Sequence, residues 1–309
     1  MFEKKDHPKT PREYLRLFFT GFAMGAADIV PGVSGGTMAF ILGVYEDLID
    51  GIKSFDLTAL RLALGLKFKA LLAHIPWQFL LALGIGILTA VFTLSHLLSD
   101  WLENHPLFVF AFFGGLIIAS ILAVSTRVIW KVSTLAALAA GAAAAYLIVG
   151  LNPMQNANHE PWVLFLSGMV AICAMILPGI SGSFILLILG QYAFVLSAVR
   201  DRDIVSLAAL AMGCVVGIVI FSRILSWLLH HHEQLTVAVL IGFMLGSLRK
   251  IWEEASAGAN RLPEFGAQEA ALAIALIVIG FLVVSSIDHL QSGNNPVMRL
   301  IARRPAATE

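Results

Sequence analysis

The 39 residues from Pro161 to Val199 contain no Asp, Glu, Lys or Arg. As one straight helix they would measure about 58 Å, against about 30 Å for the hydrocarbon core of a bilayer. Pro178, Gly179 and Gly182 stand near the middle of the run, where proline removes a backbone donor and glycine weakens a helix. The run therefore reads as two helical arms joined by an irregular turn at membrane depth. Leu17 to Tyr45 has the same form, with Pro31, Gly32, Gly35 and Gly36 at its centre and Asp28 as its only charge. Both stretches are expected to be re-entrant helical hairpins.

Composition agrees with a membrane setting. Hydrophobic residues make up 59% of the chain and charged residues 13%, where a soluble domain carries about 25% charge. The 20 basic and 20 acidic residues cancel, which removes the basic field expected of a nucleic-acid partner. Cys173 and Cys214 lie far apart in apolar runs, without metal-ligand spacing, and read as small buried hydrophobes. The apolar stretch from Leu17 is too long for a removable signal peptide.

Six further runs have the length of complete crossings: 77–99, 107–126, 132–150, 204–229, 235–251 and 270–287. The two hairpins match each other at a constant offset of 147 residues. Gly21, Pro31, Gly32, Ser34, Gly35, Ile41, Leu42, Gly43 and Tyr45 align with Gly168, Pro178, Gly179, Ser181, Gly182, Ile188, Leu189, Gly190 and Tyr192. A weaker echo pairs Leu94–Ser99 with Phe221–Ser226. Shared helix breakers at one offset indicate an internal duplication.

The expected organisation is a cytoplasmic N-terminus (1–13), a first repeat (14–150) and a second repeat (161–290), followed by a cytoplasmic tail (291–309). The first repeat has a hairpin at 14–50, an amphipathic linker at 52–76 and three spans; the second has a hairpin at 161–199 and three spans. Three crossings per half force the halves into opposite orientations, so the fold class is all-α, polytopic, with an inverted-topology repeat. Charge supports this. The N-terminus, the linker, the turn at Arg127 and Lys131 and the tail together hold 14 of the 20 Lys and Arg, which makes that side cytoplasmic and both termini with it.

Irregular backbone at membrane depth is tolerated only where it packs in protein or lines a wet cavity. Each Pro-Gly-x-Ser-Gly turn precedes a new helix, so its N–H groups and the positive end of that helix face the turn. Such a place suits an anion like phosphate. Ser34, Thr37, Ser181 and Ser183 add hydroxyl donors, and Gly35, Gly36, Gly179 and Gly182 leave room for close approach. Gly21, Gly25, Gly43, Gly168 and Gly190 read instead as helix-packing positions.

Asp28 aligns with Met175 and so breaks the repeat. A carboxylate at this depth is a candidate coupling group for H⁺ or Na⁺, or a cap for the turn's N–H groups. Arg223 is a candidate phosphate ligand or a snorkelling cation. Tyr45 and Tyr192 are candidate cavity-lining residues or interfacial anchors. His230, His231 and His232 have no nearby partners in sequence and read as an interfacial turn, so neither a metal nor any other cofactor is expected beyond the coupling ion.

With these motifs together, the chain resembles the bacterial and archaeal polyprenyl-phosphate (undecaprenyl-phosphate) transporter family, formerly classed as a domain of unknown function. The resemblance rests on Gly25-Ala26-Ala27-Asp28-Ile29-Val30-Pro31-Gly32-Val33-Ser34-Gly35-Gly36-Thr37, on Leu42-Gly43-Val44-Tyr45, and on the second copy Ile176-Leu177-Pro178-Gly179-Ile180-Ser181-Gly182-Ser183. It implies a carrier, not an enzyme, in the bacterial inner membrane that returns undecaprenyl phosphate from the outer to the inner leaflet for cell-envelope synthesis. The main rival is an undecaprenyl-pyrophosphate phosphatase, whose PGxSRS motif has arginine where this chain has Gly35 and Gly182. Cleaving a pyrophosphate needs cationic help for the leaving charge. An ion-coupled carrier of a small soluble anion is the third reading.

Overall fold

A computed structural model describes residues 8, 10–30, 33–256, 266–292, 295 and 297–298. Pro31, Gly32, Lys4, Lys5, Lys9, Arg261 and the basic tail residues Arg299, Arg303 and Arg304 lie outside the described residues. Among those described, every regular element is an α-helix, fourteen in all. The first half runs α1 (Pro11–Ile29), α2 (Gly35–Ile41), α3 (Tyr45–Lys53), α4 (Leu57–Leu64), α5 (Phe68–His74), α6 (Trp77–Asn104), α7 (Pro106–Ser125) and α8 (Val132–Val149). The second runs α9 (Pro161–Ile176), α10 (Gly182–Ile188), α11 (Tyr192–Asp201), α12 (Ile204–His231), α13 (Glu233–Ala255) and α14 (Ala267–Ser292).

Six of these, α6, α7, α8, α12, α13 and α14, are long and apolar enough to cross a membrane, and they coincide with the six expected spans. The boundaries reach further than hydropathy alone placed them. α6 continues past Ser99 to Asn104 because no helix breaker intervenes before Pro106. The run expected at 235–251 is a helix of 23 residues, its polar ends extending beyond the apolar stretch.

Each hairpin has three helices, where two arms were expected. The second arm breaks again at Gly43 and at Gly190, with φ of 69° and 67°, a left-handed conformation that only glycine adopts without strain. Both glycines are turn residues, and Gly190 is also closely packed, since a Cβ there would come to 2.7 Å from Ala157 Cβ and from Met154 O. α10 and α11 are bent by 104° from each other.

In the linker, Asp56 caps α4: its Oδ1 accepts from the Ala59 N–H at 2.8 Å and lies 3.1 Å from His74 Nε2 on α5. Leu57, Leu60, Leu64, Phe68 and Leu72 are exposed there beside Arg61, Lys67 and Lys69.

The long helices pack in pairs: α1 with α6, α9 with α12, α7 with α14 and α8 with α13, while α7 and α13 meet at the centre. Lipid supplies no hydrophobic drive between helices, so close backbone approach over small residues carries the contact. A Cβ on Gly21 would strike the backbone of Leu83, and one on Gly86 the backbone of Phe18. In the second half Gly168 meets Leu210 and Gly213 meets Phe165 in the same way. Cys214 Sγ lies 3.5 Å from the Gly168 carbonyl and Cys173 Sγ 3.7 Å from that of Gly217. Both thiols are free and serve this crossing.

Candidate functional site: two turns that meet tip to tip

Val30 and Leu177, the residues before the two motif prolines, are extended and end α1 and α9, as a following proline favours. The serine of each motif is then the N-cap of the next helix. Ser34 Oγ accepts from the Gly36 N–H at 3.1 Å, and Ser181 Oγ accepts from the Phe184 N–H at 3.4 Å. The repeated Pro-Gly-x-Ser-Gly pattern is therefore a stop signal followed by a start signal.

The break leaves the last carbonyls of α9 without intrahelical partners. Side chains of the first hairpin satisfy them. Ser34 Oγ is placed to donate to Met175 O at 3.3 Å or to Leu177 O at 3.4 Å, and Tyr45 Oη donates to Ile176 O at 3.1 Å. In return the Gly179 N–H donates to Thr37 Oγ1 at 2.9 Å. Ser34, Thr37 and Tyr45 thus bind the second turn rather than an open cavity. Tyr45 is buried and edge-on to Phe40, whereas Tyr192 is exposed.

The motif glycines admit protein as well. A Cβ on Gly36 would come to 2.6 Å from Ile176 O, and one on Gly179 to 2.9 Å from both Phe243 O and Ser247 Oγ. A Cβ on Gly182 would come to 2.8 Å from Ala171 O. Pro178 is buried beside them.

The two turns are not equivalent. Asp28 Oδ1 accepts from the Gly35 N–H at 2.7 Å, and a Cβ on Gly35 would meet the other carboxylate oxygen at 2.5 Å. The first turn therefore holds a carboxyl group of the protein's own, and the Thr37 N–H is taken by Ser34 O at 2.9 Å. In the second turn Met175 stands in place of Asp28. Among the described residues the N–H groups of Gly182 and Ser183 have no partner. Ser183 is exposed, with its Oγ 2.7 Å from Ser181 Oγ.

Arg223 does not join this place. It is exposed on α12 along the outward face of Ile220, Ile224 and Trp227, and it forms no hydrogen bond or ion pair with a described residue. Among the described residues, a cation that the fold brings to the helix of the second turn is Lys250 on α13. Its Nζ lies 4.8 Å from the Phe184 ring centroid and 2.7 Å from Glu254. Arg249 beside it is 2.7 Å from Glu253 and 4.4 Å above Tyr146. Their sequence signal is weak: two cations near a span end, each followed four residues later by glutamate. His230 and His231 each bond a carbonyl of their own helix. No group of three or more His, Cys, Asp or Glu able to hold a metal occurs among the described residues.

No solved structure matches the chain. A polyprenyl-phosphate transporter of Vibrio cholerae is 45% identical over 242 residues, covering 77% of this chain and 78% of that protein. A polyprenyl-phosphate transporter of Staphylococcus aureus is 32% identical over 292 residues, covering 89% and 96%. Residues 24–269, which run from within α1 through both motif turns to the start of α14, match a family model described as VCA0040-like, undecaprenyl phosphate translocase-like. The chain belongs to that family of multi-pass membrane proteins.

Proposed function

We propose that the protein is a polyprenyl-phosphate flippase of the cytoplasmic membrane, returning the lipid carrier from the outer to the inner leaflet with an accompanying cation. The family match, together with two relatives named as polyprenyl-phosphate transporters, carries this reading. The lipid's phosphate is bound at the second turn, by the Ser183 hydroxyl and the free N–H groups of Gly182 and Ser183, with Lys250 adding positive charge. The first turn, already capped by Asp28, supports the second through Ser34, Thr37 and Tyr45. Both turns have glycine where a phosphatase has arginine, and at Gly182 a side chain would meet the Ala171 carbonyl and Met175. The missing arginine supports binding without hydrolysis, and undecaprenyl pyrophosphate should release no phosphate with this protein.

The reading distinguishes two serines that look alike in sequence. Ser183→Ala should weaken lipid-phosphate binding by about 1–3 kcal/mol, or roughly 5- to 150-fold, because a hydrogen bond to a charged group is lost. Ser34→Ala should lower thermal stability in detergent with a much smaller change in affinity, since its bonds are to protein carbonyls. Equal affinity losses in the two variants would return the phosphate to a site shared by both turns.

The inverted arrangement is supported by matched packing (α1 on α6, α9 on α12) and by which ends meet. Arg127 of the α7–α8 turn lies 3.2 Å from Asp288 near the end of α14, and Gln234 Oε1 accepts from the Ile129 N–H at 2.7 Å. All four belong to the side with excess Lys and Arg. Single cysteines at Asn104 and Asn156, in a background without Cys173 and Cys214, should react with an impermeant thiol reagent from outside the cell. One at Arg127 should be protected. Protection at both asparagines would remove the inverted topology.

A further inference from the structure

The two hairpins are alike in sequence but differ in how they close. α3 packs against α12 of the other half. Across that contact Lys53 Nζ lies 2.9 Å from Ser226 Oγ, Ser226 Oγ donates to Asp50 Oδ1 at 2.7 Å, and Asp50 Oδ2 lies 3.8 Å from His230 Nε2. The corresponding pair, α11 and α6, makes no comparable contact. Burial records the same difference at matched positions. Ile49 of α3 is 0% exposed but its counterpart Leu196 is 54% exposed, and Tyr45 is 2% exposed but Tyr192 is 39% exposed.

The face for the missing contact is nevertheless in place. α6 and α12 are both 28 residues long and start 127 residues apart, the offset of the Leu94–Ser99 echo. Carrying the observed contact across the repeat maps Lys53 to Arg200 and Asp50 to Ser197 on α11. It maps Ser226 to Ser99 and His230 to Glu103 on α6. The apolar rows correspond too: Leu225 and Leu229, both buried on α12, map to Leu98 and Leu102, while Leu196 and Val199 are exposed on α11. A cation on one side thus again faces a serine and a group able to pair with charge. In the structure Arg200 pairs only with its exposed neighbour Asp201, at 3.3 Å, an ion pair of small worth. Ser99 and Glu103 are exposed and have no partner among the described residues.

We infer that the structure is the state closed at the Lys53 end, and that in the alternate state α11 closes on α6 through Arg200–Ser99 and Ser197–Ser99, with Glu103, one turn further along α6, as the acid that Arg200 can pair with. This rests on the proposed carrier function, since an inverted repeat converts between its two states by exchanging the conformations of its halves. The two closures exclude one another. While α3 seals one end, the second turn communicates with the opposite end, and the exchange carries the bound phosphate from one leaflet's level to the other's.

Two double-cysteine variants in a background with Cys173→Ala and Cys214→Ala test this. Asp50→Cys with Ser226→Cys should cross-link readily in detergent. Ser197→Cys with Ser99→Cys should cross-link in proteoliposomes containing undecaprenyl phosphate. With all four cysteines present, closing the first pair should suppress the second by about tenfold or more, as a population shift between exclusive states requires. If the second pair never cross-links although the reduced protein flips lipid phosphate, the alternate closure is wrong and the carrier reading stands. If cross-linking is exclusive but no variant flips lipid, the closures stand and the carrier reading falls. Charge reversal provides an independent arm: Arg200→Glu should slow flipping, and adding Glu103→Arg should restore it. No recovery in the double variant overturns the Arg200–Glu103 pair.

Discussion

Asp28→Asn should leave the protein folded and inserted but abolish gradient-driven flipping, whereas Asp28→Ala should lose stability as well. Under the proposed function the carboxylate has two separable roles. As a cap it accepts one short bond from the Gly35 N–H at 2.7 Å, a length typical of charge-assisted bonds. An asparagine carbonyl can accept in the same place, so the turn persists in Asp28→Asn. Alanine leaves the N–H without its partner, at a cost of about 1–3 kcal/mol.

As a coupling group, Asp28 matters because of what the cargo carries. A phosphate monoester bears about −1.5 to −2 charges at neutral pH. Drawing it toward the negative cytoplasm costs about 2.3 kcal/mol per charge for every 100 mV. For a dianion that is between 4 and 5 kcal/mol, roughly a thousandfold bias toward the wrong leaflet. An uncoupled carrier would run outward, with that bias, so the inward return proposed above requires H⁺ or Na⁺ to move with the lipid. Flipping in proteoliposomes with an imposed pH or Na⁺ gradient provides the readout. Loss of gradient dependence in Asp28→Asn alongside a normal melting temperature assigns the coupling. Gradient-driven flipping that survives in Asp28→Asn leaves the residue as a cap alone, and gradient-independent flipping by the wild type removes coupling altogether.

The second large effect belongs to Gly179→Ala. Gly179 has φ of +91°, which costs about 1–3 kcal/mol with any side chain. Its new Cβ would lie 2.9 Å from Phe243 O and Ser247 Oγ, and such overpacking adds about 1–3 kcal/mol. The same movement would pull the Gly179 N–H from Thr37 and so loosen the tip contact on which the second turn, the proposed phosphate site, rests. Gly84→Ala is the control, because a Cβ there meets nothing within 4 Å and a helical alanine gains about 1 kcal/mol over glycine. The two variants should shift the melting temperature in detergent in opposite directions, and only Gly179→Ala should lose flipping. A neutral Gly179→Ala would mean that the second turn moves freely enough to bind without its support on α13.

Much of the architecture was legible in the chain because membranes impose few alternatives. Six long apolar runs had to be spanning helices. An uncharged run too long for one crossing, with proline and glycine at its centre, had to break. The 147-residue offset exposed the duplication because helix breakers cannot be exchanged for other residues as freely as apolar ones can. The additional breaks at Gly43 and Gly190 were missed, since a glycine serving close packing and one serving a left-handed turn look alike until φ is known.

The roles of the polar residues were not legible in the same way. The sequence singled out Ser34, Thr37, Tyr45, Ser181, Ser183 and Asp28 as candidate groups near the turns. It placed the two turns on equal terms as anion sites because their Pro-Gly-x-Ser-Gly cores are the same, although Asp28 already broke the repeat. Only the tertiary structure brings carbonyls 175–177 against Ser34 and Tyr45, and the Gly179 N–H against Thr37, contacts across some 130 to 140 residues. These contacts engage the hydroxyls of one copy and leave Ser183 exposed in the other. The same holds for Arg223 and Lys250, since which side of a helix faces the protein depends on the helix packed beside it. Sequence thus determined that the chain breaks, where it repeats and which polar groups lie at the breaks. Tertiary structure decided which of those groups bind protein and which remain open to a ligand, because a hydrogen-bonding group's role is set by the partner that reaches it.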